Sequence, residues 1–142
     1  MTGHVHSHSD ATAATLSPAR RRVLDVLAAA RRPLGAYEMI DRVAEVTGKR
    51  PAPISVYRAL DWLVENGHVH RLASRNAFLA CGHAHAASEP VVFLICDTCG
   101  TVKEATSDET RVALDHVAGG AGFRPRSRVI ELAGECARCA TA

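Results

Sequence analysis

The stretch Cys96-Asp97-Thr98-Cys99-Gly100 is matched near the C-terminus by Cys136-Ala137-Arg138-Cys139, so two Cys-x-x-Cys pairs stand 36 residues apart. Four thiolates at such spacing can close around one ion, which is the arrangement of a structural zinc site. The alternative is a pair of redox dithiols, but neither pair has a thioredoxin-like context. The sequence therefore predicts a zinc cage with four cysteine ligands, Cys96, Cys99, Cys136 and Cys139.

The composition is that of a folded chain with a small core. The 142 residues are 47% hydrophobic but only 4% aromatic. This composition suits one ordinary domain, or two small ones that need additional stabilisation such as a bound metal. No apolar run approaches the ~20 residues of a membrane span, and residues 1–10 lack the apolar core of a secretory signal. We therefore expect a cytoplasmic protein with no membrane segment, in which paired cysteines bind metal.

The charge is unevenly distributed along the chain. Through Ala80 there are 11 Lys/Arg residues against 7 Asp/Glu, whereas from Cys81 onward there are 6 against 8. The basic front half suits binding to a polyanion, whereas the mildly acidic back half indicates a function other than polyanion binding.

Helical periodicity dominates the front half of the chain. The capping pair Ser17-Pro18 predicts the start of a first helix, and apolar spacing predicts helices at about 36–46 and 54–66. A period of two then predicts strands at 68–72 and 77–81, joined by a turn. Three helices and a hairpin are typical of a winged helix-turn-helix domain, in which Ser55, Tyr57 and Arg58 near the start of the third helix would contact DNA bases. The alternative for the third helix is an ordinary helix of a small bundle.

The back half predicts a second, smaller unit, which makes the fold class α+β. Residues 91–95 form an apolar run typical of a strand buried on both faces. A strand at 101–105, a helix opened by a capping box at 106–109 and ending near 118, and a strand at 128–132 complete a βαβ-like unit. We expect a disordered, histidine-containing tail at 1–14, a winged-helix domain at 15–81, a hinge linker at 82–90 and a zinc-binding domain at 91–142.

A second group of metal-binding residue types surrounds the unpaired cysteine. His70 lies in the predicted wing, Cys81 at its end and Glu104 in the second unit. Two linker histidines, His83 and His85, follow directly. A set of one thiolate, imidazoles and a carboxylate favours zinc, which would clamp the two units together. Two alternatives remain: a buried cysteine among unrelated surface residues, or a catalytic zinc with an open coordination position.

The sequence resembles the ferric uptake regulator family from Ser17 to Cys139, most closely its zinc uptake regulator branch. The resemblance rests on Ser55-Val56-Tyr57-Arg58-Ala59-Leu60-Asp61, which is similar to the family motif T-V-Y-R-x-L, combined with the wing and the cysteine pairs. It implies a homodimeric, zinc-responsive transcriptional repressor of zinc uptake and homeostasis genes, not an enzyme. The C-terminal domain would mediate dimerisation, and the partner would be a palindromic double-stranded DNA operator. The alternative within the family is a sensor of iron, manganese or peroxide, which Cys81 disfavours.

The resemblance also implies roles for particular residues. The cage zinc would be structural, and a second, regulatory zinc would bind His70, Cys81, Glu104 and one linker residue, giving two zinc ions per subunit. The fourth ligand is expected to be His83, with His85 as an alternative, because an imidazole suits zinc beside a thiolate. Glu89 is a further alternative, since it occupies the position of the linker ligand in some relatives. Tyr37, Tyr57 and Arg58 match DNA-contacting residues of the family, and the wing residue Arg75 is expected to meet phosphates or the minor groove.

Overall fold

The structure, a computed structural model, describes residues 16–81 and 89–141. Its first part contains three helices followed by an antiparallel hairpin, which confirms the predicted winged helix-turn-helix. The elements are α1 (Pro18–Ala30), α2 (Ala36–Thr47), α3 (Pro53–Glu65), β1 (Val69–Leu72) and β2 (Ala77–Ala80).

Local sequence signals set the limits of these helices. The Ser17 hydroxyl accepts a hydrogen bond from the Arg20 N–H (3.3 Å), and Pro18 opens α1 as predicted. Gly48 ends α2 with a φ of 71°, a left-handed conformation that glycine adopts without strain. Pro53 takes the first position of α3, one residue before the predicted start. Within the described ranges, no helix combines the length and apolarity needed to cross a membrane.

The core of the first part lies between the three helices. Val56, Leu60 and Leu63 form the buried face of α3, as their i, i+4, i+7 spacing predicts. They pack with buried residues of the other two helices, including Leu27, Met39 and Ile40. The opposite face of α3 is therefore left in solvent.

The second part is a three-stranded sheet with a helix, which confirms the predicted βαβ-like unit. It comprises β3 (Val91–Cys96), β4 (Val102–Ala105), α4 (Asp108–Gly120), β5 (Val129–Gly134) and a short α5 (Ala137–Ala140). The strand order is β4-β3-β5, with β3 antiparallel to β4 and parallel to β5. The crossover through α4 thus brings the end of β5 beside the end of β3.

The capping of α4 differs from the prediction. The N-cap is Ser107, whose hydroxyl accepts a hydrogen bond from the Thr110 N–H (3.1 Å). The predicted box required Thr106 as the cap and Glu109 three residues later. Because Ser107 takes the cap position, Thr110 stands in the third helical position and Glu109 moves into the first turn. There its charge is favoured by the helix dipole.

The prediction that β3 is buried on both faces is wrong. Val91, Phe93 and Ile95 are buried, but Leu94 is 41% exposed. The buried face packs against Leu72 of the hairpin. On the other face Leu94 stays exposed, and among the described residues α4 buries no side chain against it.

Leu72 joins the two parts of the molecule. It lies in the hairpin of the winged helix, yet it is fully buried in a cluster with Val91, Phe93 and Ile95 of β3. The hairpin therefore shares a hydrophobic core with the three-stranded sheet.

Candidate metal centres and nucleic-acid interface

Strand pairing brings the two Cys-x-x-Cys pairs together. Cys96 ends β3 opposite Gly134 of the parallel strand β5, and Cys136 caps the short helix that follows β5. As a result, all four sulfur atoms lie within 4.8 Å of one another. The four are Cys96, Cys99, Cys136 and Cys139.

Hydrogen bonds and crowding shift the thiol pKa values within this cage in opposite directions. The Cys96 sulfur accepts N–H bonds from Cys99 (3.5 Å) and Cys136 (3.4 Å), which lower its pKa to about 6. A hydrogen bond with the Thr101 hydroxyl (3.1 Å) lowers the pKa of Cys99. In contrast, the neighbouring sulfurs of Cys136 and Cys96 raise the pKa of Cys139 to about 12. Four thiolates this close need a bound cation to be ionised together.

The donor set of the cage fits zinc. Four sulfur ligands satisfy a tetrahedral ion and leave no position open for water or substrate. Such a site stabilises structure and does not catalyse. Because the thiols must lose their protons to bind, we expect zinc affinity to fall as the pH falls.

The structure also brings three residues of the second predicted site together. The His70 Nε2 atom lies 3.1 Å from the Cys81 sulfur, and the Glu104 carboxylate joins them, so that one ligand atom from each lies within 4.8 Å of the others. All three side chains are partly buried. One nitrogen, one sulfur and one oxygen ligand form a mixed set that suits zinc.

The hairpin register explains how His70 and Cys81 meet. His70 pairs with Leu79, and Cys81 follows two residues later, so both side chains point to one face. The Cys81 N–H donates to the His68 carbonyl (2.9 Å), which extends the pairing past the end of β2. The third ligand, Glu104, lies on β4 opposite Phe93, whose ring meets the His70 ring edge-on at 5.2 Å. The cluster thus spans the hairpin and the three-stranded sheet.

The predicted fourth ligand falls mostly outside the described residues. His83 and His85 belong to residues 82–88, which the structure does not describe. Glu89 is described and exposed, and it does not belong to the cluster of three.

The predicted DNA-contacting residues of α2 and α3 lie on the surface. Tyr37 is 72% and Tyr57 41% exposed, and Arg58 is exposed beside Tyr57 on the outer face of α3. The hydroxyl of Ser55 donates to the Ala52 carbonyl (2.7 Å), so its proton is used within the helix start. Sequence reasoning missed Ile54, an exposed apolar residue that shares this face by its spacing of three and four from Tyr57 and Arg58.

The predicted wing contact Arg75 has a protein partner. Its guanidinium forms an ion pair with Asp97 at 2.8 Å, and the neighbouring Ser74 N–H donates to the Glu131 carboxylate at 3.2 Å. Sequence reasoning missed both acidic residues. No local signal could identify them, because they lie 22 and 57 residues away from their partners.

Comparisons with known proteins agree on one family. Residues 12–133 match the ferric uptake regulator family. The zinc uptake regulation protein of Escherichia coli (strain K12) is 35% identical over 124 residues, which cover 87% of this chain and 72% of that protein. A solved structure of a zinc uptake regulator complexed with zinc and DNA has a TM-score of 0.83 at 32% identity, covering 94% of this chain and 90% of its own.

One related protein has been solved in two forms that differ in their likeness to this chain. Holo XcZur has a TM-score of 0.80 at 44% identity, covering 89% of this chain and 87% of its own. Apo XcZur has a TM-score of only 0.50 at 42% identity, although it covers 93% and 92%. The arrangement of this chain therefore resembles the holo form of XcZur more than its apo form.

Proposed function

This chain belongs to the ferric uptake regulator family, and we propose that it is a zinc-responsive, sequence-specific DNA-binding repressor of zinc uptake genes. The observation that carries the proposal is the cluster of His70, Cys81 and Glu104 between the winged helix and the sheet. A related protein at 35% identity is a zinc uptake regulation protein, and a structure of similar arrangement contains zinc and DNA. Membership of this family favours a regulator over an enzyme.

The two clusters support a proposed content of two zinc ions per subunit. The first would be held by the four cysteines of the cage. The second would be held by His70, Cys81 and Glu104, with His83 as the fourth ligand and His85 or Glu89 as alternatives. A thiolate among these ligands favours zinc over iron or manganese.

The residues of the second cluster would couple zinc to DNA binding. When bound, the second zinc supplies a positive charge that an imidazole, a thiolate and a carboxylate share. His70 and Cys81 are continuous with the winged helix that carries α3, whereas Glu104 belongs to the sheet. These side chains would therefore hold α3 in a defined position relative to the sheet. A coupling of ~1–3 kcal/mol changes DNA affinity by about 5- to 150-fold.

A homodimer on a palindromic operator would use this positioning twice. Large apolar side chains are exposed on α4 and on the open face of the sheet, among them Val112, Val117, Leu94 and Leu132. A second copy of the chain would bury them. Two α3 helices held by two sheets would then match two half-sites of DNA.

The test is a DNA-binding titration at controlled metal concentrations. A duplex selected from a random library by the zinc-loaded protein is titrated at buffered free zinc, and then with iron(II) or manganese(II) in place of zinc. We expect tight, sequence-specific binding only when zinc fills the second site. Affinity that ignores zinc, or that responds to iron(II) or manganese(II) at lower free concentration, would contradict the proposal.

Replacing Arg58 with alanine should weaken recognition without affecting zinc binding. An arginine at this position of a recognition helix can pair with a guanine, and one bidentate pair contributes ~1–3 kcal/mol of discrimination. We expect that amount to be lost at one base pair of each half-site, measured by competition with operators substituted at single positions. Arg111→Ala, which removes an exposed arginine from α4, is the matched control and should retain full discrimination.

A further inference from the structure

The tip of the wing, residues 73–76, touches the three-stranded sheet through two polar contacts. The Arg75 guanidinium pairs with Asp97 at 2.8 Å, and the Ser74 N–H donates to Glu131 at 3.2 Å. Asp97 lies inside the first Cys-x-x-Cys pair, and its own N–H donates to the Gly134 carbonyl (2.8 Å). The wing tip is therefore seated on the strands that also carry the zinc cage.

An apolar anchor lies directly beside these polar contacts. Leu72, the last residue before the wing tip, is fully buried against Val91, Phe93 and Ile95. Burial of a leucine holds the wing near the sheet but does not set its orientation, because apolar contact is not directional. The ion pair and the hydrogen bond are directional, and they join the wing to the end of β3 and to the middle of β5.

We infer that Asp97 and Glu131 are positioning residues, which hold the wing on the sheet in the arrangement that binds DNA. The inference rests on the proposed function and adds contacts that use none of the metal-ligand side chains. Chain geometry supports it, because the arrangement with the wing seated resembles holo XcZur and the zinc- and DNA-bound regulator more than apo XcZur. A seated wing is thus compatible with the DNA-bound arrangement.

The expected effect of each contact is modest. The Arg75 and Asp97 side chains are 45% and 59% exposed, so solvent screens their attraction. Exposed ion pairs of this kind shift an equilibrium by about 1.5- to 5-fold. Glu131 is partly buried and accepts a backbone N–H, so its loss should have an effect of similar size.

The test is hydrogen–deuterium exchange of the full-length, zinc-loaded protein without DNA. In Asp97→Asn and in Glu131→Gln, we expect amides of residues 72–76 to exchange about 1.5- to 5-fold faster than in the wild type. The free zinc concentration for half-maximal DNA binding should rise by a similar factor. Asp41→Asn is the matched control, because it removes an equally short ion pair, with Arg50 at 2.8 Å, inside the winged helix. It should change neither quantity.

Exchange that stays at the wild-type rate in both variants would overturn the inference, as would an equal increase in Asp41→Asn. Zinc content is measured for each variant, and if Asp97→Asn disturbs the cage, Glu131→Gln decides the result. The double variant Arg75→Asp with Asp97→Arg should restore slow exchange, which a merely structural role of either residue would not do. If the wild type shows no zinc-dependent DNA binding, the proposed function fails, while the exchange rates still report the seating of the wing.

Discussion

Cys96→Ser is expected to lose the cage zinc and to unfold the three-stranded sheet. Cys96 is the most buried of the four cysteines, at 3% exposure, and it accepts two backbone N–H groups as a thiolate. Among the described residues, the buried cluster of this part consists of Leu72, Val91, Phe93 and Ile95, which is too little apolar burial to replace the metal. Structural zinc contributes an apparent ~10–16 kcal/mol in small zinc domains, as much as the whole stability of a typical domain.

The measurements are zinc content, circular dichroism and thermal unfolding of the purified protein. We expect no residual cage zinc, loss of strand signal and no DNA binding. Cys81→Ser is the control, because it replaces a cysteine outside the cage and should retain one zinc ion and the fold. A Cys96→Ser protein that unfolds at the wild-type temperature would show that the cage does not stabilise the sheet.

Cys81→Ser is expected to abolish the zinc dependence of DNA binding while the protein remains folded. A serine hydroxyl is a poor zinc ligand. The substitution therefore leaves His70 and Glu104 without the Cys81 sulfur, which lies 3.1 Å from the His70 Nε2 atom. The whole coupling, about 5- to 150-fold in DNA affinity, should then disappear. The measurement is operator binding as a function of buffered free zinc.

Two further variants distinguish zinc binding at the second site from general effects of zinc on DNA binding. His70→Gln should abolish the response in the same way as Cys81→Ser. His116→Gln, which removes an exposed histidine from α4, should leave it unchanged. A Cys81→Ser protein with the full zinc response would show that the second site is formed by other residues.

The parts of the fold that the sequence predicted are those governed by local rules. Ser17, Pro18 and Gly48 act within one turn of the helix they limit, and Val56, Leu60 and Leu63 repeat with the helical period. The part that failed, burial of β3 on both faces, depends on what covers Leu94. Because no element of the described residues covers Leu94, it is 41% exposed, and the apolar run of the strand could not reveal this.

The candidate sites divide in the same way. Two Cys-x-x-Cys pairs predict a cage because each pair supplies two ligands from one short turn, so only one long-range contact is needed. The second cluster needs two such contacts. His70 meets Cys81 only through the hairpin register, and both meet Glu104 only because the wing lies against β4. The residue types indicated this site, but their spacing alone did not distinguish a metal site from a buried cysteine among unrelated surface residues.

The sequence by itself determined the helices of the winged helix, the cysteine cage and the exposed face of α3, because each follows from periodicity or short-range spacing. Only the tertiary structure decided where the wing lies. It buried Leu72 in the core of the sheet and paired Arg75, predicted as a DNA contact, with Asp97 of the cage. These contacts join residues that are 22 or 57 positions apart in the sequence. They depend on how whole strands pack, and no local pattern in the chain encodes that packing.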